Sequence, residues 1–493
     1  MSNFKKVMLS AAGGGSNGYV LVAQYTPTAV LANYREGPGQ PGIHQNVAFK
    51  SNGNLVTIWQ SLRGNSQNSH RLRFAEIDPD GNILIDRDFA GWDSGNYNSK
   101  LVTLDDGLGV FVDASDNVYY CAGSDAGHWV AKMNSNLESE AWISNTNSYA
   151  KAYNGGFHNG TDVATKCIDS NNIRHRRNGS TGAFLNSPRT LTSVFRNEQT
   201  SNCNQGNVGN NYMGVPCREN GGSYRGAVFI EQYNGTSGWY WYPNGYAGQN
   251  ASNICCTGFC TDWHVGDANN AWYRRGIATG VAQPGGTNYA YVTEFDPVSG
   301  GSTSNNGYFN GGQTPYYDQP SAPVLDRNGY CYVVFKDSNA VGTSNGFVVV
   351  KLDTNFDVSQ AITLNPSTSS SWEAQYTTTA TPRVSQDDAF VAFGTGVFGK
   401  VGSTAYPQQC YIMFNLPTDL TSAVGSHAFP MTGLWSGYGI DIADVTSAVA
   451  AKWTKQTVTP QFNSGSHLNL TASPTAVTTS NTAGTGTTLV QNF

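Results

Sequence analysis

The chain has 493 residues, of which 13% are charged and 56 are glycine, and its formal net charge is −6. Because soluble domains average about 25% charged residues and about 7% glycine, this composition excludes coiled coils and charged disordered tails. The acidic balance provides no positive field for a nucleic-acid backbone. No apolar run reaches the roughly 18 residues that span a bilayer. We therefore predict no nucleic-acid partner and no membrane insertion.

The first predicted element is a strand over Tyr19–Tyr25. Downstream, a turn followed by alternating apolar residues recurs, a pattern typical of β-strands. Its copies are Asn52–Gln60, Asp116–Ser124, Thr161–Ser170, Asn269–Ala278, Asn328–Asn339 and Asp387–Gly396. A second signal follows most copies: a short strand that ends in Asp or Asn before another turn. These marker residues are Asp78, Asn134, Asn186, Asn234, Asp296, Asp353 and Asn415, spaced about 56 residues apart.

All-β units of about 50 residues, repeated in this way, are typical of a β-propeller, in which each blade is a four-stranded sheet. We predict an all-β fold in which residues 45–430 form a seven-bladed propeller. Six blades are the alternative, because the markers Asn186 and Asn234 match the repeat poorly. A string of β-sandwich domains has similar turn spacing, but it does not explain one marker that recurs in register.

Two short segments lie outside the predicted blades. Residues 1–44 are predicted as an N-terminal arm that docks on a partner. Residues 431–493 are predicted as a Thr-rich β segment that docks on a partner or closes the ring. The apolar stretch Val7–Ala12 is shorter than the about 7–15 apolar residues of a signal peptide, so no secretion is predicted.

The densest set of soft metal ligands is Cys255, Cys256, Cys260 and His264. Four such groups can hold a tetrahedral zinc ion, and a disulfide among the cysteines is a further possibility. The spacing lacks the usual C-x2-C pair, and no second pair stands at a matching distance. The cysteines are therefore interpreted as small buried hydrophobic residues. We predict no metal and no cofactor, and this set is the candidate site if a metal is bound.

Two segments imitate functional motifs. Ser124–Trp129 is close to the Asp box of sialidase-like propellers, but Asp directly follows Ser and Trp comes one position early. Asp78–Asn82 resembles the start of a calcium loop, but it lacks the further oxygen ligands and the closing Glu. Both are predicted as turns. The sequence also lacks a Gly-rich phosphate loop, a G-x-S-x-G elbow and an H-E-x-x-H motif, so we predict no enzyme and no catalytic residue.

Four consecutive aromatic residues, Trp239, Tyr240, Trp241 and Tyr242, are the candidate ligand-binding residues. Alternation along a strand exposes one pair of them. Exposed aromatic rings offer a stacking surface to a sugar or to a protein partner. The alternative is that the rings pack between blades.

The opening segment Phe4–Tyr19 (FKKVMLSAAGGGSNGY) resembles the start of tail-associated structural proteins of marine tailed bacteriophages. A blade pattern, V-Y-x-x-A/G followed after a turn by V-x-K, an apolar residue and D/N, occurs over Val118–Asn134 and, in part, over Tyr332–Asp353. It is similar to a bacterial propeller repeat that also occurs in phage virion proteins. The resemblance implies a virion component assembled in the host cytoplasm, and it transfers no catalytic residues.

These observations predict a non-enzymatic virion structural protein of a tailed bacteriophage, a tail component that assembles through its termini. Its expected partners are other virion proteins and symmetry-related copies, with a host-surface glycan or protein as a further partner. Two alternatives stay open. One is a capsid-decorating or filament-forming structural protein, and the other is a carbohydrate-binding or glycoside-cleaving propeller.

Overall fold

The structure is a computed structural model, and almost all of its regular elements are strands. It describes residues 18–24, 34–37, 46–63, 70–89, 108–113, 115–124, 127–138, 140–146, 151–158, 162–168, 173–185, 189–191, 212–218, 226–232, 237–242, 254–261, 276–282, 289–295, 302–309, 320–336, 346–367, 372–374, 381–401, 404–429, 438–455, 461–469, 481–483 and 487–492. No helix among these residues is both long enough and apolar enough to span a bilayer.

After the first strand, β1 (Tyr19–Gln24), the chain folds into seven consecutive antiparallel meanders. Meander 1 contains β2 (Tyr34–Gly37), β3 (Val47–Phe49), β4 (Leu55–Arg63), β5 (His70–Ile77) and β6 (Ile83–Phe89). Meander 2 contains β7 (Leu108–Val112), β8 (Val118–Ser124), β9 (Gly127–Met133) and β10 (Glu140–Thr146). Meander 3 contains β11 (Lys151–His158), β12 (Asp162–Ile168), β13 (Ile173–Asn178) and β14 (Arg189–Leu191).

The described residues of meander 4 form three strands, β15 (Tyr212–Arg218), β16 (Gly226–Gln232) and β17 (Ser237–Tyr242). Meander 5 contains β18 (Ile254–Thr261), β19 (Gly276–Ala282), β20 (Tyr289–Phe295) and β21 (Ser302–Phe309). Meander 6 contains β22 (Val324–Leu325), β23 (Cys331–Lys336), β24 (Phe347–Leu352) and β25 (Val358–Pro366). Meander 7 contains β26 (Trp372–Ala374), β27 (Arg383–Val384), β28 (Phe390–Val401) and β29 (Thr404–Pro417).

The C-terminal part of the chain returns to these meanders. It comprises a 3-10 turn (Leu420–Ala423), β30 (Gly425–Ala428), β31 (Gly439–Asp444), the helix α1 (Thr446–Lys452), β32 (Trp453–Lys455), β33 (Gln461–Asn469), β34 (Asn481–Ala483) and β35 (Thr487–Asn492). β31 pairs with β25, β32 with β21, β33 with both β17 and β14, and β34 with β6. We call residues 439–492 the C-terminal belt.

The segments β2 and β3 lie one after the other along the same edge of β4, and β26 and β27 do so along β28, so each pair counts as the first strand of its meander. Around most of the ring, neighbouring meanders contact one another through these first strands, and the last meander contacts the first. Contacts join β3 to β7, β7 to β11, β15 to β18, β18 to β22, β22 to β27 and β27 back to β3. β33 bridges meanders 3 and 4, so the seven meanders form six hydrogen-bonded sheets. The predicted all-β propeller is confirmed as the fold class, and the number of blades stays a prediction.

Both end segments supply strands to the chain's own sheets. β1 lies between β29 and β35, where it acts as the outer strand of meander 7. The predicted strand over Tyr19–Tyr25 is thus confirmed. The domain boundaries at residues 44 and 431, and docking of either segment on a partner, stay predictions.

The hydrophobic cores lie between neighbouring meanders, because alternate residues of one strand face opposite sides of a sheet. In β4, Val56 and Ile58 are buried against meander 2. Their neighbours Leu55 and Trp59 are buried against meander 7. Strands buried on both faces can be apolar at consecutive positions, which is why the apolar alternation of this sequence is imperfect.

One five-residue turn recurs in meanders 1, 2, 6 and 7. Its fourth residue has a positive φ and donates its N–H to the carbonyl oxygen of the first. The turns are Lys50–Asn54, Asp78–Asn82, Asp113–Asn117, Asn134–Glu138, Asp326–Tyr330, Asp353–Asp357 and Ser385–Ala389. This geometry, a type I turn followed by a left-handed residue, is a common three-residue hairpin loop. The turn predicted over Asp78–Asn82 is confirmed.

The marker residues have mixed outcomes. Asp78, Asn134 and Asp353 each begin one of these turns, between the third and fourth strands of a meander. Asn415 is wrong as a turn marker, because it lies inside β29 opposite Tyr19. The markers Asn186, Asn234 and Asp296 lie outside the described residues. The described turn of meander 3 begins earlier than predicted, where Asn178 donates its N–H to Ala183.

Ser124–Trp129 is also confirmed as a hairpin, because it joins β8 to β9 with Gly123 opposite His128.

Gly329 tests the need for a left-handed residue in these turns. Its φ is +82°, and a left-handed backbone costs an Ala residue roughly 1 kcal/mol. We expect Gly329→Ala to lower the free energy of unfolding by about this amount, measured by urea denaturation. Gly329→Asn is the matched control and should cost less, because Asn tolerates this region. Equal stability of the Ala variant and the wild type would contradict this account.

Candidate functional site

The structure places the four predicted aromatic residues inside a sheet. Trp239, Tyr240, Trp241 and Tyr242 lie in β17, which pairs with β16 on one edge and with β33 on the other. They belong to a strand and not to a surface loop. Their side chains lie outside the described part of the structure, so a ligand-binding role stays a prediction.

The cysteine set is placed only in part. Cys260 is buried in the core between meanders 5 and 6, as expected for a small hydrophobic residue. Cys255 and Cys256 lie in β18 opposite Val281 and Gly280, and their side chains lie outside the described residues, as does all of His264. Within the described part of the chain, no three His, Cys, Asp or Glu side chains are placed to hold a metal ion. Cys255, Cys256, Cys260 and His264 stay the candidate site if a metal is bound.

Polar side chains are concentrated at one end of the propeller. The seven five-residue turns join first to second or third to fourth strands, and turns of an antiparallel meander alternate between its two ends. All seven therefore lie at the same end of their meanders, together with Asn178–Ala183 and Thr418–Ala423. We call this end the hairpin face.

The innermost contacts of the hairpin face join the first turns of neighbouring meanders. Asp116, at φ +62°, accepts the backbone N–H of Ser51 from meander 1 at 2.6 Å. Asp388, at φ +57°, accepts the backbone N–H of Arg327 from meander 6 at 3.2 Å. Left-handed positions usually hold Gly. Asp stands at these two because its carboxylate reaches the adjacent meander.

A second layer of contacts is centred on Tyr119. Its hydroxyl lies 3.1 Å from the Asp113 carboxylate and 3.3 Å from the carbonyl oxygen of Gly179 in meander 3. The Lys132 ammonium lies 5.5 Å from the centroid of the Tyr119 ring, within the range of a cation–π contact. A turn, two strands and the adjacent meander thus meet at one tyrosine.

Meander 6 repeats this arrangement at Tyr332. Its hydroxyl lies 3.1 Å from the Asp326 carboxylate and 3.5 Å from the carbonyl oxygen of Thr418, in the segment that follows meander 7. The Lys351 ammonium donates to the same carbonyl oxygen at 2.9 Å and lies 5.5 Å from the Tyr332 ring centroid. Tyr332 and Lys351 are opposite one another in the strand register, as are the Tyr and Lys of meander 2.

Meander 1 uses the same positions with the charges exchanged. Lys50 begins the turn where meanders 2 and 6 have Asp, and its ammonium lies 2.6 Å from the Glu76 carboxylate. Asn54 donates to the same carboxylate at 2.7 Å. All three residues are buried, so the pair satisfies charges that would otherwise be costly to remove from water.

The outer strands add a third layer. The Trp142 indole N–H on β10 donates to the carbonyl oxygen of Gly179 at 3.0 Å. The Gln360 amide on β25 donates to the Asp419 carboxylate at 2.7 Å. In both cases an outer strand holds the turn segment of the next meander.

Burial shifts the ionisation of the two tyrosines in the direction that keeps their contacts, and it acts against the charged form of Lys351. Desolvation, followed by the adjacent Asp carboxylates, raises the pKa values of Tyr119 and Tyr332 well above their usual range. Both hydroxyls therefore remain protonated donors. Desolvation lowers the pKa of Lys351, and the Asp326 and Asp419 carboxylates act against that shift.

The chemistry of the hairpin face is therefore structural. Its carboxylates accept hydrogen bonds from backbone N–H groups, hydroxyls and ammonium groups, and the contacts above join one meander to the next. The sequence shows these Tyr and Lys positions only as part of the repeated blade pattern. The copy of this pattern over Val118–Asn134 contains Tyr119 and Lys132. The third partner, the carbonyl oxygen of Gly179, lies in another meander, so a local pattern does not include it.

The comparisons with known proteins give structural matches of low similarity. No protein-family model matches the chain, and no curated protein matches it in sequence. Among solved structures it is similar to the Dos1 propeller, with 10% identity over 79% of this chain and 95% of that one and a TM-score of 0.37. A neuraminidase-like protein of A/flat-faced bat/Peru/033/2010 (H18N11) matches with 10% identity over 81% and 97%, TM-score 0.38. A protein of unknown function from Dyadobacter fermentans matches with 10% identity over 82% and 100%, TM-score 0.38.

Tyr332→Phe tests the second layer of contacts. The change leaves the buried Asp326 carboxylate without its hydroxyl partner, and an unsatisfied buried acceptor costs about 1–3 kcal/mol. We expect a loss of this size in the free energy of unfolding, measured by urea denaturation. The matched control is Tyr330→Phe, two residues away and half-buried. Equal midpoints for the two variants would refute the assignment.

Asp419 predicts a pH dependence. The hydrogen bond from the Thr421 hydroxyl, aided by Gln360, lowers the pKa of Asp419. A lowered folded-state pKa stabilises the fold above the unfolded-state value of about 3.9, and that stability is lost as the pH falls through the folded-state value. We expect Asp419→Asn to lower the melting temperature at pH 7 and to lower it by less at pH 3, because the stabilisation decreases once the pH falls below the unfolded-state value of about 3.9. A melting-temperature difference of the same size at both pH values would contradict this prediction.

Proposed function

We propose that the chain is a non-enzymatic structural protein of a tailed-bacteriophage virion. In this proposal it is a tail component, held among other virion proteins and symmetry-related copies. The observation that carries the proposal is the layered polar bonding between neighbouring meanders on the hairpin face. A particle outside a cell must resist unfolding and proteolysis without renewal, and such resistance is a matter of slow unfolding.

Two further features support the proposal. The belt and β1 cover outer strands of the sheets, and covered edges protect a β protein from pairing with foreign strands. The start of the chain, Phe4–Tyr19, resembles tail-associated phage proteins. Together they favour a durable particle component over a soluble enzyme.

Host contact in this proposal is assigned to the end opposite the hairpin face. The polar groups of the hairpin face are engaged between meanders, which leaves fewer of them for a ligand. The segments that join second to third strands, and one meander to the next, reach the opposite ends of the strands. Connecting segments on a rigid scaffold vary without harming the core and commonly carry binding functions.

Immunogold electron microscopy tests the proposal. An antibody raised against the recombinant full chain should label the tails of density-gradient-purified phage particles from the source. The control is the same antibody pre-absorbed with the recombinant protein, which should abolish labelling. Labelling of the capsid instead would favour the capsid-decorating alternative. Recovery of the protein only in the soluble lysate, with none in purified particles, would exclude a virion role.

A further inference from the structure

The C-terminal belt pairs with six of the seven meanders, in the reverse of their order around the ring, and none of its described strands pairs with meander 2. Its strands pair first with meander 6, then with 5, then with 4 and 3, then with 1, and last with β1 at the edge of meander 7. The described strands of a single segment therefore occupy outer edges at six positions around the ring. Every pairing is antiparallel and uses an outer strand.

The first part of the belt is fixed by buried side chains. Ile440 and Ile442 are buried in the core between meanders 6 and 7. Val449 of α1 is fully buried in the core between meanders 5 and 6. The Thr446 hydroxyl accepts the N–H of Ala361 at 2.9 Å. The belt is thus anchored before it leaves meander 6.

Trp453 then fastens meander 5 to meander 6. Its indole N–H donates to the carbonyl oxygen of Phe356, in a turn of meander 6, at 2.7 Å. Its ring lies 4.8 Å from that of Phe309 on β21 and directly over Gly307, where an added Cβ would come within 2.2 Å of the ring. Only a glycine lets the indole approach this strand so closely.

The middle of the belt adds a strand to meander 4, of which the structure describes three strands. Meander 4 contributes three strands of its own, and β33 pairs along the full length of β17 as the fourth. The last three residues of β33 then pair with β14 of meander 3. The boundary between these two meanders is therefore spanned by one continuous strand.

From these contacts we infer that the C-terminal belt is a clasp that sets the rate at which the propeller opens. The same covalent segment ties meander 3 to meander 4, meander 5 to meander 6, and meander 7 to the N-terminal strand. Separating them requires belt pairing to break first. The clasp acts in this way whether or not the protein belongs to a virion.

A cut belt is the direct test. A site for a sequence-specific protease is inserted between Lys455 and Gln461 of the full chain, and the folded protein is cleaved. Strands that are no longer tethered lose the benefit of a high effective concentration. We expect the cut protein to unfold in urea at least about tenfold faster than the uncut protein carrying the same insertion, followed by tryptophan fluorescence. Equal unfolding rates would overturn the inference.

A double-mutant cycle at Trp453 tests the same clasp without cleavage. Gly307→Ala should displace the indole and speed unfolding several-fold in the wild-type background. It should have no such effect in the Trp453→Ala background, where there is no ring to displace. Trp453→Phe keeps a ring but loses the hydrogen bond to Phe356, and should fall between wild type and Trp453→Ala. An equal effect of Gly307→Ala in both backgrounds would overturn the role of Trp453 as the fastening residue.

Discussion

Closure of the ring between meander 7 and meander 1 is the constraint on which the other features depend. Closure relies on β1, whose described residues are buried. Its alternate residues enter different cores: Val20 and Val22 face meander 6, while Leu21 faces meander 1. At the same boundary the Tyr411 ring stacks on Trp59 at 5.2 Å. One six-residue strand therefore contributes to two cores and to the hydrogen bonding of two neighbouring strands.

The sequence predicts the local units of this fold better than their assembly. Period-2 alternation identifies strands such as those containing Val56 and Val333, and Asp or Gly at fixed positions identifies the turns between them. Pairing of β1 with β29 and β35 leaves no local signal, because it joins segments from opposite ends of the chain. The repeat is weakest around Asn234, and there the fourth described strand of the sheet, β33, comes from a distant part of the chain.

The candidate site shows the same limit. The pattern that contains Tyr119 and Lys132 could be recognised as a repeat, yet its role is set by the carbonyl oxygen of Gly179, in another meander. The exchanged pair Lys50 and Glu76 keeps the geometry and reverses the charges, so a search for Asp alone passes over it. Physical complementarity of the facing groups, and not residue identity, is what these positions have in common.

The placement of β1 has a consequence for how the protein is made. β1 leaves the ribosome first, while its partner β29 follows roughly 380 residues later. At about 5–20 residues per second, that interval lasts roughly 20–80 s. Throughout it, an apolar strand with two unpaired edges is exposed to other nascent chains. The sheet that contains β1 can therefore be completed only after both of its much later partner strands, β29 and β35, have been synthesised.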